Sequence, residues 1–230
     1  MNSFNFLFFS LLFLYSFSNS DTDFDFYHLR LTWPTSHCLP PNNCTIPSWY
    51  TMFSILTFIP RTEDNTPTNC SSTYPFNYAE VSTFHSLLAI MWPDIWNFTN
   101  PEDYWKTNWE SHGTCSLSEL KTEKDYFRQA ILLHNRLNPA DFLANSQILP
   151  SNSIPYSYNQ LDNAIRSVTQ KNATFHCGFY GDQVVLHEIG FCIDKQFNVF
   201  DCSQAMRDWE SDRCGSDHDS QSIFYLKSVP

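Results

Sequence analysis

Tyr104-Trp105-Lys106-Thr107-Asn108-Trp109-Glu110-Ser111-His112-Gly113-Thr114-Cys115 is the stretch on which the reading of this chain turns. Proline at 101 suits a first helical turn and Gly113 suits a C-terminal stop, so the sequence predicts a helix over 101–112. On that helix Thr107, Asn108, Ser111 and His112 fall at i, i+1, i+4 and i+5 and share one face, while the two tryptophans point elsewhere. A polar face that ends in histidine beside a cysteine is a candidate site. A solvated helix whose imidazole is favoured by the negative end of the helix dipole has the same spacing. Spacing alone leaves both readings open.

The flanks set this helix in a fold. Residues 24–32 alternate apolar and polar side chains, a strand pattern ended by Trp33-Pro34. Residues 35–48 read as a loop carrying Cys38 and Cys44, and 50–59 as a second strand stopped by Pro60. A polar loop over 61–76 holds Cys70, and 78–91 has helical spacing. Downstream, Ser118 or Thr122 caps a helix whose apolar face includes Tyr126, Phe127, Ala130, Ile131 and His134. Another helix is predicted over 159–169, then a hairpin of 184–191 with 197–202 and a last strand at 223–227. Strands, then helices, then strands predict an α+β domain: an antiparallel sheet packed with several α-helices.

The chain begins with a run of about a dozen apolar residues, too short for the roughly 20 that span a bilayer. Ser18 and Ser20 follow at the −3 and −1 positions of a cut before Asp21. We expect residues 1–20 to be a cleaved signal peptide, although its first residues lack Lys and Arg, and 21–230 to be one soluble domain. The expected destination is extracellular or vacuolar, by the secretory pathway. Eight cysteines in an oxidising compartment predict disulfides, with roughly a hundred pairings open to spacing alone. No Cys-x-x-Cys pair suggests a metal site, and no cofactor motif is present. Sequons at Asn43, Asn69, Asn97 and Asn172 fit a glycoprotein, although cysteine occupies the middle of two. No later segment could cross a membrane, so a membrane is not an expected partner. The formal net charge of −11 opposes binding of a polyanion, so DNA is not an expected partner and RNA is a doubtful one.

At this point the chain resembles a known family. Trp105, Trp109 and His112-Gly113-Thr114-Cys115 resemble the second active-site segment of the ribonuclease T2 family, which holds the plant S-RNases and S-like RNases. Residues 53–60, Phe-Ser-Ile-Leu-Thr-Phe-Ile-Pro, fall where the family's first active-site segment stands. Leu29-Arg30-Leu31-Thr32-Trp33-Pro34, Trp92-Pro93-Asp94, Asp125-Tyr126-Phe127, Ile148-Leu149-Pro150-Ser151 and Glu188-Ile189-Gly190-Phe191-Cys192 resemble its other landmarks. The resemblance spans essentially the whole mature chain. It implies the family's fold and the disulfides Cys38–Cys44, Cys70–Cys115, Cys177–Cys214 and Cys192–Cys202.

It also implies RNA cleavage, which needs an acid, a base and cations around the phosphorane. Histidine serves as acid and base because its pKa lies near working pH. Here the family's catalytic histidine of the first segment is Leu56. In the second segment its first histidine is Thr107, its glutamate Asn108 and its lysine Ser111. Of the five, only His112 remains. Losing one general acid or base costs ~10²–10⁴ in rate, and losing a charge stabiliser a further ~10²–10³. We therefore expect a secreted, ribonuclease T2-like glycoprotein without RNA-cleaving activity, a plant storage or defence protein in the manner of inactive relatives. The alternatives are an endoribonuclease with residual or rearranged activity centred on His112 and a recognition module of the S-RNase type, its protein partner unknown.

Overall fold

The computed structural model describes residues 23–42, 44, 46–211, 214–215 and 221–229. The expected signal peptide and the sequon at Asn43 lie outside them. In chain order the elements are β1 (Phe26–Thr32), α1 (Pro34–His37), β2 (Ser54–Arg61), α2 (Tyr78–Val81), α3 (His85–Met91), α4 (Glu102–Ser111), α5 (Glu123–Arg136) and α6 (Pro139–Asn145). There follow β3 (Pro155–Tyr156), α7 (Tyr158–Thr169), β4 (Thr174–Tyr180), β5 (Gln183–Ile193), β6 (Val199–Phe200), α8 (Gln204–Ser211) and β7 (Ile223–Phe224). The α+β class holds.

The long strand β5 is the spine of a seven-stranded sheet. It pairs antiparallel with β1, β4 and β6. It also pairs with β7 in parallel, so the sheet is mixed rather than wholly antiparallel. The expected hairpin of 184–191 with 197–202 is a minor contact. The main partner is β4, joined to β5 through a turn at Gly181, where φ is +57° and a side chain would be strained. The sequence hides β4 because its register shifts between His176 and Cys177, which breaks the alternation. Pro60 does not stop the second strand. It lies inside β2 opposite Tyr27, a position an edge strand tolerates because the missing N–H faces away from the ladder.

The helices also differ from the pattern in places. The stretch 78–91 is not one helix, because a 3₁₀ turn at Ser82–Phe84 separates α2 from α3. Thr122 caps α5, its Oγ1 accepting the Asp125 N–H at 3.1 Å. Ser157 and Gln160 form a reciprocal capping box on α7. The short helices α1, α6 and α8 are additions to the predicted set.

One face of the sheet packs Tyr27, Leu29, Leu31, Ile55, Phe58, Phe175 and Phe191 under the helices. The helices return Trp92, Trp105, Trp109, Tyr126, Phe127 and Leu161. Each such burial contributes on the order of 1.5–3 kcal/mol. A second cluster of Phe26, Cys192, Cys202 and Met206 lies under α8 on the opposite face. Polar residues of β1 are therefore buried too: His28 meets the Thr174 hydroxyl at 3.1 Å, and Thr32 is fully enclosed. Disulfides join Cys38 to Cys44, Cys70 to Cys115, Cys177 to Cys214 and Cys192 to Cys202, the pairs the family resemblance implies.

Candidate functional site

Helix α4 is pegged by its tryptophans. Trp105 and Trp109 are buried, and their indole N–H groups donate to the carbonyls of Trp92 at 2.7 Å and Tyr74 at 2.8 Å. His112 is the C-cap, and the chain continues as a 3₁₀ turn at Gly113–Ser116. Gly113 is therefore not a left-handed stop. It is required for space, since a Cβ there would lie 2.3 Å from Cε3 of Trp109.

The four residues expected to share a polar face separate once folded. Thr107 is exposed and its hydroxyl donates back to the Asp103 carbonyl at 2.9 Å. Asn108 is buried and its Nδ2 donates to the Tyr104 carbonyl at 2.9 Å. Both spend their polarity on their own helix. Ser111 is half-buried, and its carbonyl accepts the Asn69 N–H at 2.8 Å, next to the Cys70–Cys115 bridge. The His112 imidazole is hydrogen-bonded to the Pro67 carbonyl, while its Nδ1 has no partner among the described residues. Burial pulls its pKa below the ordinary value, against the opposing effect of Pro67.

Leu56 occupies a β-bulge. Arg30 pairs with Thr57 and Leu31 with Ile55, so Leu56 is the extra residue of β2. Its carbonyl accepts the Tyr104 hydroxyl at 2.6 Å, which ties the bulge to α4. Leu56, Tyr104 and Asn108 thus lie together, and all but the phenol are incapable of proton transfer.

A titratable cluster that the sequence did not single out lies close by. Glu188 is buried on β5 and accepts from Arg30 Nε at 2.8 Å. Its Oε1 is 3.4 Å from His37 Nε2. The His37 ring is 4.9 Å from His187, which is 6.2 Å from His176. The exposed indole of Trp96 stands edge-on to His37 at 6.2 Å. Burial alone would raise the Glu188 carboxyl, but the close approach of His37 and the charges of Arg30, His37 and His176 outweigh it and hold the carboxyl at about 2. Tyr104 lies within electrostatic reach of Glu188 and Arg30, which joins this cluster to the Leu56 corner. The one sequence signal was Glu188 in its landmark segment. The histidines come from α1, β4 and β5, and only folding brings them together.

The sequons differ in setting. Asn97 is exposed in a turn, and the Thr99 hydroxyl donates to its Oδ1 at 2.7 Å. Asn69 has φ of +53° beside a bridged cysteine. Asn172 accepts from Arg166 at 2.9 Å, and its sequon threonine, Thr174, is fully buried. Among the described residues no helix is long and apolar enough to cross a membrane, and no three His, Cys, Asp or Glu side chains are arranged to hold a metal ion.

A bulged edge strand tied to a tryptophan-pegged helix that ends in histidine forms one corner of this α+β fold. Residues 24–202 match the Ribonuclease T2 family, and the chain belongs to that family. Ribonuclease Oy of Magallana gigas is 29% identical over 179 residues, covering 75% of this chain and 84% of its own length. Extracellular ribonuclease LE of Solanum lycopersicum is 28% identical over 175 residues, covering 74% and 76%. The crystal structure of RNase NT in complex with 5'-AMP superposes with a TM-score of 0.71 at 26% identity, covering 78% of this chain and 91% of that one.

Proposed function

We propose that this chain is a secreted ribonuclease T2-like glycoprotein that has lost RNA-cleaving activity. The observation that carries this reading is the local use of the active-site positions. Thr107 and Asn108 hydrogen-bond within α4, and Leu56 offers only an aliphatic side chain. His112 is left with Pro67 and no second imidazole among the active-site positions. In-line attack of a 2′-hydroxyl needs a base on one side and an acid on the other. One histidine does not supply both.

A digest of RNA with the purified chain at pH 5–8 tests the reading. The expected result is no cleavage above buffer. A rate within about tenfold of extracellular ribonuclease LE would overturn it, since loss of even one acid or base costs more. The stapled body and acidic charge suit a storage or defence protein.

A second reading has one observation in its favour. His37, 3.4 Å from the Glu188 carboxylate that Arg30 engages, is an imidazole near an arginine, the parts of a displaced acid–base site. Under that reading any measured cleavage falls with His37→Ala. Under residual activity centred on His112, it falls with His112→Ala instead.

A further inference from the structure

A cavity of about 380 Å³ lies between the loop that precedes α2 and the start of α5, away from the Leu56 corner. Tyr74, Pro75 and Trp109 form its apolar wall. Its polar wall is Glu80 and Glu123, with Lys121 at the side. The Lys121 ammonium is already engaged by the carbonyls of Leu117 and Ser118.

Glu123 stands out in this cavity. It is only 5% exposed, a carboxylate removed from water in the first turn of a 14-residue helix. Its Oε2 accepts the Asn77 N–H at 2.8 Å, which joins the loop to the helix. Its Oε1 is buried with no hydrogen-bond partner among the described residues. A buried acceptor left without a donor costs roughly 1–3 kcal/mol, more if charged. Glu80 and Glu110 add negative potential at the same place, and Glu110 is fixed by the Phe76 N–H at 3.3 Å.

We propose that this cavity binds a small organic ammonium ion with an apolar body, its charge facing the Glu80 and Glu123 carboxyl groups and its body lying against Tyr74 and Pro75. An amine fits better than a metal ion. The carboxylates are not arranged as ligands around one centre, and most of the wall that an occupant would meet is carbon. A cation over an aromatic wall gains a further attraction from the ring face. The cavity size is within the range of small-molecule sites. Burial, helped by the charges of Glu80 and Glu110 and opposed by the Asn77 N–H, raises the Glu123 carboxyl to about 7. Ammonium binding therefore releases a proton in acid and releases none in alkali.

Calorimetry on the full secreted chain with three phenyl probes tests the assignment: phenethylamine, 2-phenylethanol and phenylacetate. The expected result is saturable binding of phenethylamine alone, tighter at pH 8 than at pH 5.5. Glu123→Gln keeps the shape and should weaken it by about tenfold or more, the effect of removing one facing charge. Glu80→Ala, on the exposed side, should weaken it by less than Glu123→Gln. Equal binding of the alcohol would show a merely greasy pocket and overturn the proposal. So would an undiminished Glu123→Gln variant, displacement of the amine by calcium chloride at matched ionic strength, or no saturation by about 10 mM.

Discussion

The Tyr104 hydroxyl donates to the carbonyl of Leu56 at 2.6 Å. One bond thus connects the helix that carries Thr107, Asn108 and Ser111, three of the positions read above as replaced, with the strand that carries Leu56, the fourth. The register of the two segments is held by the backbone carbonyl, not by the side chain at 56, so the corner keeps its shape with leucine there. Restoring Leu56→His, Thr107→His, Asn108→Glu and Ser111→Lys together is expected to raise RNA cleavage by at least about 10²-fold over the parent, while Leu56→His alone leaves it at background. A well-folded quadruple variant without activity would mean that the corner has closed to the substrate.

Glu188 ties pH to stability. Its carboxyl titrates at about 2 in the fold against an ordinary 4.5, so its stabilising contribution is complete above about 4.5 and is lost as pH falls toward 2. Glu188→Gln leaves Arg30 without its carboxylate and should destabilise by about 3 kcal/mol at neutral pH. Urea unfolding at pH 6 and at pH 2.5 checks this: the gap between parent and variant should shrink at the acid value.

Glu123 has the opposite sign. Its carboxyl is raised to about 7, so its contribution is unfavourable once pH exceeds the unfolded value and grows until pH passes about 7. Without added amine, Glu123→Gln should be more stable than the parent at pH 8 by about 1–2 kcal/mol, and indistinguishable near pH 4. Thermal melts across that range read the difference directly.

The Cys70–Cys115 bridge closes a loop 45 residues long. Replacing both cysteines by alanine should cost about 4 kcal/mol by the chain-entropy argument. Denaturant midpoints of the double variant measure the loss, which should exceed that for Cys192 and Cys202, only 10 residues apart.

Asn97 should carry a glycan and Asn172 should not. Asn97 is exposed in a turn with Thr99 poised on its amide, whereas the threonine of the Asn172 sequon is locked in β4 against His28. The mass of secreted Asn97→Gln should drop by one glycan, with no change for Asn172→Gln.

What the sequence disclosed, and what it hid, follows from which interactions are local. Periodicity and caps are short-range, so β1, α4, α5 and α7 were legible from residues such as Thr122 and Pro101. Pro60 misled because its tolerance depends on β2 being an edge, a property of the whole sheet. Strand β4 was hidden by its register shift, and the parallel pairing of β7 by its two-residue length. At the site, Leu56, Thr107, Asn108, Ser111 and His112 could be named from spacing and resemblance. That Leu56 is a bulge residue and Asn108 is buried could not. The cluster joins His37 to His176 and Glu188, both more than a hundred positions away from it, beyond the reach of any window.

The two indole N–H bonds that peg α4 have an evolutionary consequence. They fix the helix from its rear, so residues on its front change without loosening it. Thr107 at the front is exposed and bonded only to its own helix, and exchanging it disturbs nothing behind. A lineage that stops needing the reaction can therefore drift at such positions under almost no selection from folding. The same freedom makes the front of α4 a place where new chemistry can be installed by substitution.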